Sequence, residues 1–350
     1  MSQPFIMSID AMGGDNAPDI VIQGLEYYLK TQGADHEVMF LIHGDETQLR
    51  PLLAKAPRTT ERSDVVHTEL AIDMDTKPSH ALRRGKGSSM WNAIESVKEQ
   101  KAVVALSAGN TGALMAVSYR LLRTMVGVQR PAIAALWPQP EGMCVVMDVG
   151  ANVECDASHL SEFAVMGEAY YRALFHKDTP SIGLLNVGTE EGKGNAIIKS
   201  AHERLKNSEL GLDYQGFVEG NDISFGDVDV IVTDGFTGNI ALKTAEGTAK
   251  LVSKFIKDSV QDSFWSKFTA LMNFAGFKRL QRRLDPRRAN GGVFLGLNGV
   301  VIKSHGGTDA IGFANAVGIG VELGESRFLA ELERTLTALH DEDDNIGFVV

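Results

Sequence analysis

Three side chains in this sequence stand where they can act on a polar substrate. Lys193 sits between Gly192 and Gly194 in "NVGTEEGKGN" (186–195). Glycine on both sides leaves its ammonium free to reach a bound anion or a carbonyl oxygen, although an ordinary surface lysine has the same look. Asn186, Thr189 and Glu190 share this loop and can orient it. Asn239 lies in "VTDGFTGNIALK" (232–243), where Asp234, Gly235, Thr237 and Gly238 join a strand to a helix. Its amide can serve a substrate or cap the helix. His305 closes the strand of "GLNGVVIKSHGGTD" (296–309) beside Gly306 and Gly307. That position suits proton transfer or a structural imidazole.

The neighbouring loops have the chemistry of an anion site. Asp10 opens "DAMGGDNAPD" (10–19), in which Gly13 and Gly14 permit positive φ and close backbone approach. Asp15 or Asn16 is expected to cap the helix that begins near Pro18. "SAGNTGALMA" (107–116) contains Ser107, Gly109, Asn110, Thr111 and Gly112 and no charge. Asn110 or Thr111 is its expected N-cap. A helix N-terminus without bulky side chains turns unpaired N–H groups and a positive dipole end toward an anion. The stretch is neither a Walker loop nor a GxGxxG turn. "MDVGANVECD" (147–156) adds Asp148 and Asn152; Cys155 has no nearby base and reads as a small buried residue. Taken singly, each loop is also what any strand-to-helix turn requires.

The elements that must hold these loops are legible as short apolar runs, each ending in glycine or a small polar residue. They are "FIMSID" (5–10), "EVMFLIHG" (37–44), "AVVALSAG" (102–109), "MCVVMDVG" (143–150), "SIGLLNVG" (181–188) and "VDVIVTDG" (228–235). Near-continuous apolar strands alternating with helical patterns predict a mostly parallel sheet covered on both faces. Such sheets bind ligands beyond the carboxyl ends of their strands. The fold class is therefore α/β, a three-layer α/β/α arrangement. We read 1–340 as one catalytic domain, with two lobes around a cleft that all these loops line together.

The chain has 350 residues, 44% hydrophobic and 23% charged, with a formal net charge of −11. That acidity argues against general nucleic-acid binding. Two cysteines without a Cys/His pattern suggest neither a disulfide framework nor a metal site. The N-terminus lacks a signal-peptide pattern and no run approaches 18 apolar residues, so a cytoplasmic protein is expected. One segment departs from the acidic background. Lys254 to Arg288 holds nine Lys/Arg against three Asp, with Phe264, Trp265, Phe268 and Leu271 at helical spacing. It predicts a protruding amphipathic basic hairpin over 250–288. Residues 341–350 form an acidic, then apolar tail, expected to fray or dock loosely.

Seven segments in order resemble the signatures of the PlsX family, the bacterial phosphate acyltransferases of phospholipid synthesis. They are "SIDAMGGDNAP", "SAGNTGALMA", "DVGANVEC", "LLNVGTEEGKGN", "YQGFVEGNDI", "VIVTDGFTGNIALK" and "LGLNGVVIKSHG", reaching from residue 8 to about 309. The resemblance implies transfer of a fatty acyl group from acyl carrier protein to inorganic phosphate. It implies a fold similar to isocitrate dehydrogenase and phosphotransacetylase, a homodimer, and peripheral membrane association near a glycerol-3-phosphate acyltransferase. No cofactor is implied. The chemistry suits the residues. Phosphate is already anionic and needs positioning and charge neutralisation rather than deprotonation. Lys193, Asn239 and His305 are then the expected catalytic groups. Arg83, Arg84, Lys278, Arg279, Arg282 and Arg283 can steer an acidic carrier protein, and the Phe264–Leu271 face suits a membrane interface. An isocitrate-type dehydrogenase and a short-chain enzyme using acyl-coenzyme A are the competing readings.

Overall fold

The apolar runs fold as strands of one sheet. The computed structural model describes residues 5–33, 36–261, 276, 287 and 290–347. Its strands are β1 (Phe5–Asp10), β2 (Val38–Gly44), β3 (Ser63–His67), β4 (Val104–Ser107), β5 (Ala132–Gln139), β6 (Gly142–Met147), β7 (Ser181–Leu185), β8 (Asp213–Val218), β9 (Val230–Val232), β10 (Gly292–Leu295) and β11 (Val300–Lys303). The helices are α1 (Asp19–Thr31), α2 (Glu46–Leu53), α3 (Pro57–Glu61), α4 (Pro78–Arg84), α5 (Ser89–Lys98), α6 (Thr111–Leu122), α7 (Ala157–Phe175), α8 (Ala196–Asn207), α9 (Asp222–Phe225), α10 (Gly235–Gln261), α11 (Ala310–Glu325) and α12 (Phe328–Gly347).

The sheet order is β3-β2-β1-β4-β11-β10-β5-β6-β9-β7-β8. Both ends are parallel blocks, β3 to β11 and β6 to β8. Three antiparallel pairings, β11–β10, β10–β5 and β5–β6, lie between them. An odd number of reversals means the two blocks run in opposite directions. The carboxyl ends of β1, β4 and β11 therefore leave one edge of the sheet, and those of β6, β9 and β7 leave the other.

The strands are apolar on both sides because both faces are covered. In β6, Val145 and Met147 join the large core on one face with Met7, Ile9, Leu106, Phe163 and Phe313, while Val146 faces the other way. On that second face the cover has two parts. Met90, Trp91, Leu114 and Val301 pack under α5 and α6. Trp137, Val146, Ile223 and Ile231 pack under α9 and α10, and Ile133 touches both parts.

The last helix carries the acidic tail as far as Gly347. The Glu342 carboxylate accepts from the Ser208 hydroxyl at 2.9 Å and the Glu209 N–H at 2.9 Å. These bonds tie the helix to the 208–209 turn at Glu342. Of the 250–288 segment, 250–261 is the end of α10. Phe264, Trp265, Phe268, Leu271, Lys278, Arg279, Arg282 and Arg283 lie outside the described residues.

Candidate functional site

The strand register builds the first part of the site. Asp10 on β1 pairs with Ser107 on β4, and Ser107 with Lys303 on β11. Each is the last residue of its strand. Ile6, Ala105 and Val301 point to the α5/α6 face, so the period of two puts Asp10, Ser107 and Lys303 on that face in one row. The Ser107 hydroxyl donates to Asp10 Oδ2 at 2.6 Å and accepts the Gly109 N–H at 3.0 Å. Burial pushes the Asp10 carboxyl above its ordinary range, against the pull of Ser107, Ser89 and the Met12 and Gly13 N–H groups. Burial holds the Lys303 ammonium down to about 8, opposed by Asp10 and Asp15 and reinforced by Lys243.

Glycine is required where the loops meet. A Cβ on Gly13 would lie 2.5 Å from Asp10 Oδ2 and 2.7 Å from the Gly109 nitrogen. A Cβ on Gly109 would strike Met90 at 2.6 Å. Asn110 is the N-cap of α6, its side chain accepting from the Ala113 N–H at 2.8 Å and donating to the Met74 carbonyl at 2.5 Å. The N–H groups of Thr111 and Gly112 belong to the first turn, which has no intrahelical acceptors. Replacing Asn110 by Ala is expected to cost about 1 kcal/mol of stability, read as a lower urea midpoint at an unchanged slope.

Asp15 and Asn16 do not cap α1. Pro18 takes the N-cap position, and no side chain caps that turn. Asp15 instead turns to the His305 loop. Its N–H donates to the Gly306 carbonyl at 2.9 Å, and a Cβ on Gly307 would lie 3.1 Å from its Oδ2. Gly14 adopts φ +112° where Ala108 and the Gly306 carbonyl crowd it. His305 accepts the Gly307 N–H on Nδ1 at 3.1 Å. Burial, Lys303, Lys243 and Lys250 press its imidazole below the ordinary value, so the ring is neutral near pH 7.

The second part of the site forms at the opposite sheet edge. Asp148 is a buried clamp. Its carboxylate accepts from the N–H groups of Ile133, Gly150, Ala151 and Asn152 and from the Asn152 amide. Burial raises its carboxyl above the usual range despite those donors. Asp148 and Asn152 thus shape the turn on which α10 begins. Gly235 and Gly238 let the helix lie against it, and Asp234 caps it through the Thr237 N–H and hydroxyl, both at 2.8 Å. Asn239 is left free of capping, its side chain 3.4 Å from where a Gly150 Cβ would be. In the adjoining loop, Asn186 donates to the Gly188 carbonyl at 3.1 Å, and the Glu190 and Lys193 side chains fold over Gly188. Thr189, Glu190 and Lys193 are exposed.

The loops thus come as two groups, and α10 joins them. It starts among the second group. Lys243 and Lys250 already act on His305 at the first, with Glu246 in opposition. Asn239, Lys243, Glu246 and Lys250 follow each other at helical spacing, one polar stripe from edge to edge. Sequence reading overlooked Lys303 and Lys243. The signal for Lys303 was present: a lysine closing the apolar run "GVVI" cannot leave the strand face. Cys144 and Cys155 are no thiolates, since burial pushes them up to about 12 and about 11.

A mixed sheet between helical layers is a fold shared with solved phosphotransacetylases. The fold is similar to a phosphotransacetylase from Streptococcus pyogenes, with a TM-score of 0.61 at 18% identity over 93% of this chain and 95% of that one. It is also similar to 4-hydroxythreonine-4-phosphate dehydrogenase from Klebsiella pneumoniae, with a TM-score of 0.54 at 12% identity over 92% and 100%. Fold alone therefore spans both acyl transfer and dehydrogenation. The sequence is more specific. Residues 5–331 match the family described as "Fatty acid synthesis protein". The chain is 52% identical to the phosphate acyltransferase of Maricaulis maris over 331 residues, 94% of each protein. It belongs to the phosphate acyltransferase family.

Proposed function

We propose that this protein transfers a fatty acyl group from acyl carrier protein to inorganic phosphate. The observation that carries this reading is the Asp10–Ser107–Lys303 row beneath the glycine contact of Gly13 with Gly109. It makes a small polar floor beside the N-terminus of α6, where a cation and a helix N-terminus can act on one anion. A phosphate oxygen attacks the thioester carbonyl carbon, the C–S bond breaks, and the thiolate leaves and takes a proton from solvent. Acyl phosphate and free carrier result. The attack is direct: neither cysteine has the lowered pKa that a nucleophilic thiol needs. Asn239 and Lys193 stabilise the charge that develops on the thioester oxygen.

A protein-bound donor fits the rim of the first group. Arg83 and Arg84 are exposed at the end of α4. The same helix begins at Pro78, 3.0 Å from where a Gly112 Cβ would be. Positive charge one helix away from the site suits an acidic carrier. A homodimer is supported by Phe236, Ile240, Leu251 and Phe255, which are 57%, 50%, 50% and 59% exposed along α10. No described helix is long and apolar enough to cross a membrane. Peripheral association, and passage of product to a glycerol-3-phosphate acyltransferase, rest on the 262–286 segment and on the family resemblance.

The test is product formation. With palmitoyl-acyl carrier protein and phosphate, hydroxylamine should trap palmitoyl hydroxamate. Acetyl-coenzyme A in place of the carrier-bound donor should give far less product. No trapped product from the carrier-bound donor, or an acylated side chain on the enzyme, overturns the reading.

A further inference from the structure

We propose that Lys303 is the cation that holds the attacking phosphate. The inference rests on the phosphate acyl-transfer reading and assigns the anion a place within it.

Three features converge on this side chain. Its ammonium donates to the Ala108 carbonyl at 3.4 Å and to the Ser304 carbonyl. Ala108 directly precedes Gly109 and the Asn110 cap, so the charge sits just under the first turn of α6. An ammonium has three donors. Two carbonyls occupy two of them, and the third remains for a ligand lying between the lysine and the helix N-terminus. Helix dipole and cation then act on the same volume.

The surrounding charges fit a site for an anion. Asp10 on β1, Asp15 in the β1–α1 loop, Lys243 on α10 and His305 after β11 are the titratable groups that face Lys303. Asp10 is already occupied by the Ser107 hydroxyl and the Met12 N–H. His305 is neutral near pH 7; its Nδ1 accepts the Gly307 N–H, which leaves Nε2–H to donate to a phosphate oxygen. Burial strengthens each of these interactions, because the effective dielectric there is lower than in water.

A lysine whose ammonium begins to deprotonate near pH 8 gives the proposal a signature that a purely structural lysine lacks. Free phosphate is mostly dianionic above pH 7, so its own ionisation does not remove it at alkaline pH. The ratio kcat/KM for phosphate reports groups of the free enzyme. It should fall above about pH 8 in the parent protein. Arginine stays charged throughout that range.

The experiment measures kcat and KM for phosphate and for the acyl donor across pH in the parent, Lys303→Gln and Lys303→Arg. Lys303→Gln should raise the phosphate KM on the order of 10²-fold, with the donor KM nearly unchanged. Lys303→Arg should lose the alkaline fall. Equilibrium binding of inorganic phosphate to the parent protein should weaken about tenfold per pH unit above the same point. A phosphate KM little changed in Lys303→Gln, or the same alkaline fall in Lys303→Arg, overturns the assignment. Should both variants misfold, pH-independent phosphate binding to the parent does so. A parent protein that makes no acyl phosphate at any pH defeats the functional reading instead.

Discussion

Asn239→Ala and Lys193→Ala should each turn over on the order of 10²–10³ more slowly than the parent, as expected for loss of one donor to a developing oxyanion. Both should keep stability within about 0.5 kcal/mol, because neither side chain holds the scaffold. The Lys193 side chain is exposed and enters no hydrogen bond or ion pair among the described residues. Asn239 is likewise exposed, and Asp234 already performs the capping that Asn239 was free to perform. The loss should appear in kcat more than in the phosphate KM, since these donors act on the thioester oxygen and not on phosphate. Single-turnover measurement with acyl-carrier substrate checks this. Near-parental rates remove the residue from the chemistry.

Gly238→Ala should destabilise the protein by about 1–3 kcal/mol, although Gly→Ala inside a helix ordinarily stabilises by up to about 1 kcal/mol. The sign reverses because of where the helix lies. An added Cβ would come 2.0 Å from the Asp148 carbonyl oxygen, and that oxygen belongs to backbone that the buried Asp148 clamp cannot release. Relief requires α10 to lift from the 148–152 turn. Asn239 moves with it, so turnover should fall alongside the urea midpoint. A stabilised, fully active Gly238→Ala protein would show that this contact is not close in solution.

Much of the architecture was legible because burial on two faces leaves a strong local trace. Six apolar runs marked β1, β2, β4, β6, β7 and β9, and the glycine or small polar residue closing each run marked the loops. Their relative direction was not legible. It depends on β5 and β10, whose antiparallel pairings join residues as distant as Ile133 and Phe294. Without those reversals, the loops could not be sorted into their two groups. Local chemistry also misled at α1, where Asp15 looked like a cap. The Gly306 backbone, some 290 positions away in the chain, draws it elsewhere. Lys303 went unnoticed for a related reason. Its partners Ser107 and Asp10 are neighbours only once three strands are in register.

The two parallel blocks point opposite ways, and α10 spans the distance between their working edges. That makes its length as consequential as its side chains. Each residue inserted between Asn239 and Lys243 would turn everything beyond it by about 100° and advance it by about 1.5 Å. Lys243, Glu246 and Lys250 would then swing away from His305, while every residue kept its identity. In this lineage, insertions and deletions should therefore collect in surface connections such as the exposed β5–β6 turn at 140–141, where only a loop is lengthened. They should be missing from 235–250, where the helix serves as a gauge between two half-sites.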